Sequence, residues 1–164
     1  MRLLALAVAL LASFAVSAQD FPSRPLRMIV PYPPGALTDT LGRAIADRLA
    51  TALKQPVVVE NRAGAGTLVG AEIVAKAPAD GYTLLMATST TLGISPAIYS
   101  KPAIDAVKDF AAVSLVGSVN FFLITSNDFP AKNVREFIDH VKKNPGKFNY
   151  GSSGSGSPHH LFME

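Results

Sequence analysis

Several short stretches of this 164-residue chain carry residue types that could do chemistry. The first is Pro31-Tyr32-Pro33-Pro34-Gly35-Ala36-Leu37-Thr38-Asp39. Its three prolines fix φ and remove three backbone donors, and Gly35 restores backbone freedom just where a helix is expected to begin. A stiff strand-to-helix turn that ends in free N–H groups suits a small anion, above all a carboxylate. No side chain here is a ready nucleophile or base, so the stretch points to binding and away from turnover. Asp39 would repel an anionic ligand directly. Its expected role, with Pro33 and Pro34, is to organise the loop and complement the helix dipole.

Thr88-Ser89-Thr90-Thr91 is a hydroxyl cluster at the carboxyl end of an expected strand. Gly151-Ser152-Ser153-Gly154-Ser155-Gly156-Ser157 follows another apolar segment and precedes Pro158. A nucleophile elbow needs G-x-S-x-G, and no register of this run supplies it. Read instead as a nest of N–H and hydroxyl donors, it opens onto a helix start with Ser157 as N-cap and Pro158 at the first helical position. His159 and His160 are adjacent, so on a helix they diverge, and no spaced third ligand joins them; no metal is expected. A single histidine, His160, lining a polar cleft is the simpler reading. Gly64-Ala65-Gly66-Thr67-Leu68-Val69-Gly70 has the outline of a dinucleotide fingerprint, but it follows the second strand and its third glycine is displaced by one. A structural turn with close helix packing is the expectation there, and no cofactor.

These stretches must be positioned by alternating strands and helices. Leu26–Val30 is an apolar run suited to a buried parallel strand. A helix from about Thr38 to Lys54 follows, with Leu41, Ile45, Leu49 and Leu53 at four-residue spacing and Ala44 and Ala52 beside them. Val57–Val59 gives a second strand, Thr67–Ala77 a second helix with Val69, Ile73 and Ala77 on one face, and Tyr82–Ala87 a third strand. Residues 93–109 are expected to be loop with a short helix. The apolar runs 111–119 and 121–125 read as further strands. Asn133 with Glu136 resembles a capping box at the head of a helix that Pro145-Gly146 ends, and Phe148–Tyr150 reads as a short strand. The pattern is that of a parallel α/β fold, in which ligands lie beyond the carboxyl ends of the strands.

Arg2, the apolar run from Leu3 to Phe14 and the small residues before Gln19 form the pattern of a signal peptide, with cleavage expected after Ala18. Loss of Arg2 would remove one unit from a formal net charge of +3. Charges of both signs are scattered, and no Lys/Arg block tracks phosphates, so nucleic acid is not an expected partner. With no cysteine, neither a disulfide framework nor a Cys-ligated metal is open to the chain.

Read in order, the motifs resemble those of the Bug-type periplasmic solute receptors of tripartite tricarboxylate transporters. The matching text runs Phe21-Pro22-Ser23-Arg24-Pro25, Val30-Pro31-Tyr32-Pro33-Pro34-Gly35 with Thr38-Asp39, and Val58-Val59-Glu60-Asn61-Arg62-Ala63-Gly64-Ala65-Gly66. It continues through Ala79-Asp80-Gly81-Tyr82, Lys108-Asp109-Phe110 and Pro145-Gly146-Lys147-Phe148-Asn149-Tyr150-Gly151-Ser152, and closes on Gly154, Gly156, Ser157, His160 and Leu161. The resemblance implies a periplasmic-binding-protein-like fold of type II, two α/β lobes closing like a Venus flytrap. On that basis residues 1–18 are the signal peptide, 19–118 the first lobe and 119–164 the start of a second, truncated lobe. It further implies that Gly35, Ala36, Leu37 and Thr38 hold a carboxylate. Thr88, Ser89, Thr90 and Thr91 line one side of the cleft, and Ser152, Ser153, Gly154, Ser155, Gly156, Ser157 and His160 the other. Where the family usually has a second glycine this chain has Ala36.

The expected function is therefore a periplasmic, non-enzymatic and monomeric receptor. It would capture a small carboxylated organic solute for the membrane subunits of a tripartite tricarboxylate transporter. Two alternatives stay open at this level: an exported α/β enzyme, nucleotide-dependent or a hydrolase, and a non-functional fragment of a truncated gene.

Overall fold

The computed structural model describes residues 21–152 and 156–164. Strand β1 (Leu26–Val30) leads into helix α1 (Leu37–Leu53), strand β2 (Val57–Asn61), a 3-10 turn (Ala65–Thr67) and helix α2 (Leu68–Ala75). Strand β3 (Thr83–Leu85) is followed by a π-helical turn (Thr90–Ile94) that runs directly into α3 (Ser95–Ile98). Helices α4 (Val134–Lys143) and α5 (Pro158–Leu161) complete the regular structure.

The three strands form one parallel sheet in the order β2-β1-β3. Leu26 to Val30 pair in register with Val57 to Asn61, and Arg27 to Ile29 with Thr83 to Leu85. All three carboxyl ends therefore leave the sheet at one edge. The central strand is covered on both sides: Met28 and Val30 pack with Ala46 and Met86, and Ile29 is fully buried. Such burial of a β-branched and Leu/Met-rich strand is what parallel pairing requires.

Which helical face turns inward differs from the simplest reading of the aliphatic spacing. On α1 the buried positions are Asp39, Gly42 and Ala46, while Leu41 is exposed. A Cβ on Gly42 would lie 3.0 Å from Val30 Cγ2, so the helix rests on the strand at its smallest residues. Ile45 and Leu49 flank that contact and pack on the same cluster. On α2 the pattern repeats: Leu68, Gly70 and Ala71 are buried, whereas Val69 is 41 % exposed.

Three expected strands do not form. Residues 111–119, 121–125 and 148–150 carry no strand assignment. An apolar run becomes a strand only when another strand satisfies its backbone, and among the described residues none pairs with these. Val113, Leu115, Phe122 and Ile124 are left exposed. The local signals in this half were sound, however. Asn133 Oδ1 accepts the Glu136 N–H at 3.0 Å, and Glu136 Oε2 accepts the Lys132 N–H at 2.8 Å, an interlocked cap at the head of α4. Phe129, Phe137, His140 and Phe148 gather in a small aromatic cluster with ring centroids 5.3 to 5.5 Å apart.

Candidate functional site

The sheet edge brings three turns together: the one after β1, the one after β2 and the one after β3. In the first, Gly35 has φ +83°, and a Cβ there would meet nothing within 4 Å, so the turn is open on that side. Helix α1 begins behind Ala36, which stands in the N-cap position with extended backbone and makes no side-chain cap. Alanine has no oxygen with which to accept a first-turn N–H. Among the described residues, the Leu37 and Thr38 amides find no acceptor, while the Ala36 N–H donates to the Pro33 carbonyl at 3.3 Å.

Gly35 behaves differently from its neighbours. Its N–H donates to Asp39 Oδ2 at 2.8 Å and is thus held by the chain itself. Asp39 is almost fully buried and forms the hub of a compact network. Arg43 Nε reaches Oδ2 at 3.1 Å and its Nη2 reaches Oδ1 at 3.0 Å, a two-point contact one helical turn away. Asn61 Nδ2 donates both to Asp39 Oδ1 at 2.8 Å and to the Tyr32 carbonyl at 3.0 Å, while its Oδ1 accepts from Arg43 Nη2 at 2.9 Å. The Arg43 guanidinium first, then the Gly35 and Asn61 N–H groups, lower the Asp39 carboxyl to about 2. The buried carboxylate therefore stays ionised and fully paired, and it ties the β1 turn, α1 and β2 into one unit.

The second turn is strained. Ala65, Gly66 and Thr67 all have positive φ, at 45°, 59° and 80°. For a β-branched residue this is a sparsely populated conformation. Thr67 occupies the N-cap position of α2, yet it makes no cap bond, and its buried Oγ1 has no partner among the described residues. Thr67→Gly should consequently raise stability by about 1 kcal/mol, since it removes both the strain and an orphaned hydroxyl. Urea unfolding would check this, and a loss of stability would contradict it. The loop is fastened on its other side by Ser95 Oγ, which donates to the Gly66 carbonyl at 2.5 Å.

The third turn holds the hydroxyl cluster. It follows β3 as expected, but Thr90 and Thr91 are both buried and already form part of the π-helical turn. Thr88 is half-buried and Ser89 exposed. Tyr32 Oη and Thr88 Oγ1 lie 2.7 Å apart, which links the first turn to the third.

The serine-rich run is only partly described: Ser153, Gly154 and Ser155 lie outside the described residues. Gly156 packs against the Ile98 side chain at the end of α3, so the start of α5 meets the element that follows the hydroxyl cluster. Ser157 is buried and caps α5 by accepting the His160 N–H at 3.2 Å. His160 Nδ1 accepts the Gly156 N–H at 3.4 Å, and its Nε2 stands 3.7 Å from Glu164 Oε1. Ser152 is exposed. Among the described residues no cluster of His, Asp or Glu has the makings of a metal site.

Tyr32 and Asn61 are the site residues that sequence reasoning missed. Both sat in the quoted motifs, but their partners are 56 and 22 positions away, which local spacing cannot reveal.

Comparison with known proteins agrees with this arrangement. Residues 41–164 match the family described as the tripartite tricarboxylate transporter family receptor. The chain is 41 % identical to a UPF0065 protein of Bordetella pertussis, over all of this chain and 50 % of that protein. It is 40 % identical to protein BugT of the same organism, over 91 % of this chain and 46 % of the relative. The chain thus spans about half the length of the curated relatives it matches. Among solved structures, Rpa4515 of R. palustris with adipate superposes with a TM-score of 0.71 at 31 % identity, covering 88 % of this chain and 48 % of that one. MatC of Rhodopseudomonas palustris with bound malate gives 0.67 at 37 % identity, covering 74 % and 42 %. These neighbours include the periplasmic binding protein BugD, so the fold is that of the periplasmic solute-binding proteins. The matched residues, the relatives and the fold agree: the chain belongs to the tripartite tricarboxylate transporter receptor family, a family of extracytoplasmic solute-binding receptors and not of enzymes.

Proposed function

We propose that this chain forms the solute-gripping part of a periplasmic receptor that captures a small carboxylate-bearing metabolite for a tripartite tricarboxylate transporter. In this reading residues 1–18 are a signal peptide cleaved after Ala18. Residues 19–118 form the first lobe, and 119–164 begin a second lobe that faces it. The observation that carries the proposal is the uncapped start of α1 at the carboxyl edge of a parallel sheet. Helix N–H groups without an internal acceptor favour an anion from outside.

The geometry refines which donors take part. With the Gly35 N–H committed to Asp39, the Leu37 and Thr38 amides are the donors that meet the carboxylate. Gly35 then shapes the turn, and Ala36 sets how closely the solute approaches. Thr88 and Ser89 supply the neighbouring wall, and the buried Thr90 and Thr91 stand behind it. Ser152 to Ser157 and His160 supply the opposing contacts, and a solute that touches both sides favours closure by binding the closed form more tightly. Malate bound to MatC and adipate bound to Rpa4515 support a carboxylated ligand.

Titration calorimetry of the chain with malate, adipate and the corresponding diamides tests the proposal. Saturable heat from the acids and none from the diamides is the expected outcome. No heat from either acid, with a folded protein by circular dichroism, would overturn it.

A further inference from the structure

Three hydroxyls join the first and third turns in a chain whose hydrogens can be counted. Thr91 is fully buried, and among the described residues the acceptor within reach of its hydroxyl is Thr88 Oγ1, at 3.3 Å. Thr91 Oγ1 itself accepts the Thr88 N–H at 3.3 Å, and Thr88 Oγ1 faces the Thr91 N–H at 3.4 Å. A hydroxyl has one hydrogen and two acceptor lone pairs. Because a fully buried hydroxyl must place its hydrogen on an internal acceptor, Thr91 donates to Thr88. Thr88, with both lone pairs engaged, has only its hydrogen left for the 2.7 Å contact, so Tyr32 Oη is the acceptor there. The phenol hydrogen of Tyr32 then has no acceptor among the described residues.

We infer that Tyr32 is a solute-contacting donor and that its surplus phenol hydrogen bonds a carboxylate oxygen of the bound solute. Tyr32 is half-buried between Pro31 and Pro33, and its ring packs against the core cluster of Met28, Val30, Ala46 and Met86. The phenol is thus held between the core cluster and the hydroxyl cluster, in the turn that leads to the uncapped α1 start. A donor that is oriented before binding loses little freedom when it engages a ligand. Thr88 and Thr91 act through Tyr32: they fix the direction of its hydrogen. This assignment rests on the receptor reading for its ligand, but the direction of the hydrogen does not depend on it.

Two measurements test the inference. Malate is titrated into the wild-type chain, Tyr32→Phe, Thr91→Val and Thr91→Ser. Loss of a hydrogen bond to a charged group should weaken binding roughly tenfold in Tyr32→Phe. Thr91→Val should weaken it in the same direction although position 91 is beyond reach of any solute, because Thr88 is then free to accept from Tyr32. Thr91→Ser should retain wild-type affinity. Equal malate affinity in wild type and Tyr32→Phe would overturn the inference.

The second measurement reads the direction of the hydrogen before any solute is added. The chain has four tyrosines and no tryptophan, so tyrosine Raman bands are unobscured. The doublet lost in Tyr32→Phe should be that of a phenol accepting a hydrogen bond, and malate should shift the wild-type doublet towards the donor form. A pure donor doublet in the solute-free protein would overturn the inference. An acceptor doublet in a protein that binds neither malate nor adipate would uphold the hydrogen's direction and bring down the receptor reading instead.

Discussion

Gly70→Ala should destabilise the fold by about 2 kcal/mol, against the usual sign for such a change in a helix. In an unobstructed helix alanine is favoured over glycine by roughly 1 kcal/mol. At this position a Cβ would lie 2.8 Å from Pro31 Cβ, 2.9 Å from the Arg62 carbonyl oxygen and 3.1 Å from Pro31 Cα. None of these atoms ends a flexible side chain. Pro31 is fully buried, and the Arg62 N–H donates to the Val30 carbonyl at 2.9 Å, which holds that backbone in the sheet. To admit the methyl group, α2 must retreat from the turn after β1, and the α1 start moves with it. Malate affinity should therefore fall along with stability. Gly93→Ala is the control: a Cβ there meets nothing within 4 Å, so stability should be unchanged or slightly higher. Urea unfolding with a constant dependence on denaturant would measure both. A Gly70→Ala protein as stable as Gly93→Ala would show that the helix–turn contact is not rigid.

That contact also shows which part of the design was written locally. The alternation from β1 to β3 was legible because buried parallel strands are apolar on both faces and the intervening helices carry their own periodicity. The cap at Asn133 and Glu136 and the Ser157-Pro158 helix start were legible for the same reason: each is complete within four residues. On α1 the expected Ile45 and Leu49 do pack on the core, but the closest approach falls one position on from the aliphatic stripe. Gly42 and Ala46 contribute little hydrophobicity, yet they mark where helix and strand come closest, and Leu41 falls outside the contact. In sequence the glycine reads as a weak point of the helix, whereas in the fold it is where the helix docks.

Residues 111–125 teach the complementary lesson. Their apolarity was legible, but a strand is a property of two segments, and among the described residues none pairs with them. The candidate site divides along similar lines. Asp39 could be assigned to loop organisation from its place in the first helical turn, where a carboxylate complements the helix dipole and would repel an anionic solute. Neither Asn61, which completes that network, nor Tyr32, which reaches across to Thr88, could be placed without the sheet that aligns their strands. That Gly35 commits its N–H to Asp39 was equally invisible. A carboxylate four residues on can cap the helix dipole or fold back on the turn, and only the geometry distinguishes the two.

Removal of the Asp39 carboxylate should be the most damaging single change to the site. Asp39→Ala leaves the Gly35 N–H without its acceptor, Arg43 without its two-point partner and Asn61 Nδ2 with one bond fewer. The turn after β1 loses its tie to β2, so malate affinity should fall by about tenfold or more even though Asp39 itself does not touch the solute. The pH dependence of stability isolates the cause. The Asp39 pKa is lowered to about 2 in the fold from an ordinary 3.8, so the unfolded chain binds the proton more readily. The stabilisation from this group is complete above the unfolded value and disappears as pH falls through the folded one, between about 4 and 2. Glu60 behaves alike: hydrogen bonds from Arg27 and then Arg62 lower it to about 2 from 4.5. Wild-type unfolding midpoints in urea should drop steeply across this window. Asp39→Ala should remove part of the slope, and addition of Glu60→Gln most of what remains. Wild-type and Asp39→Ala midpoints that decline in parallel from about pH 5 to about pH 2 would show that the buried carboxylate does not hold the turn, and the Leu37 and Thr38 amides would lose their claim to a fixed geometry.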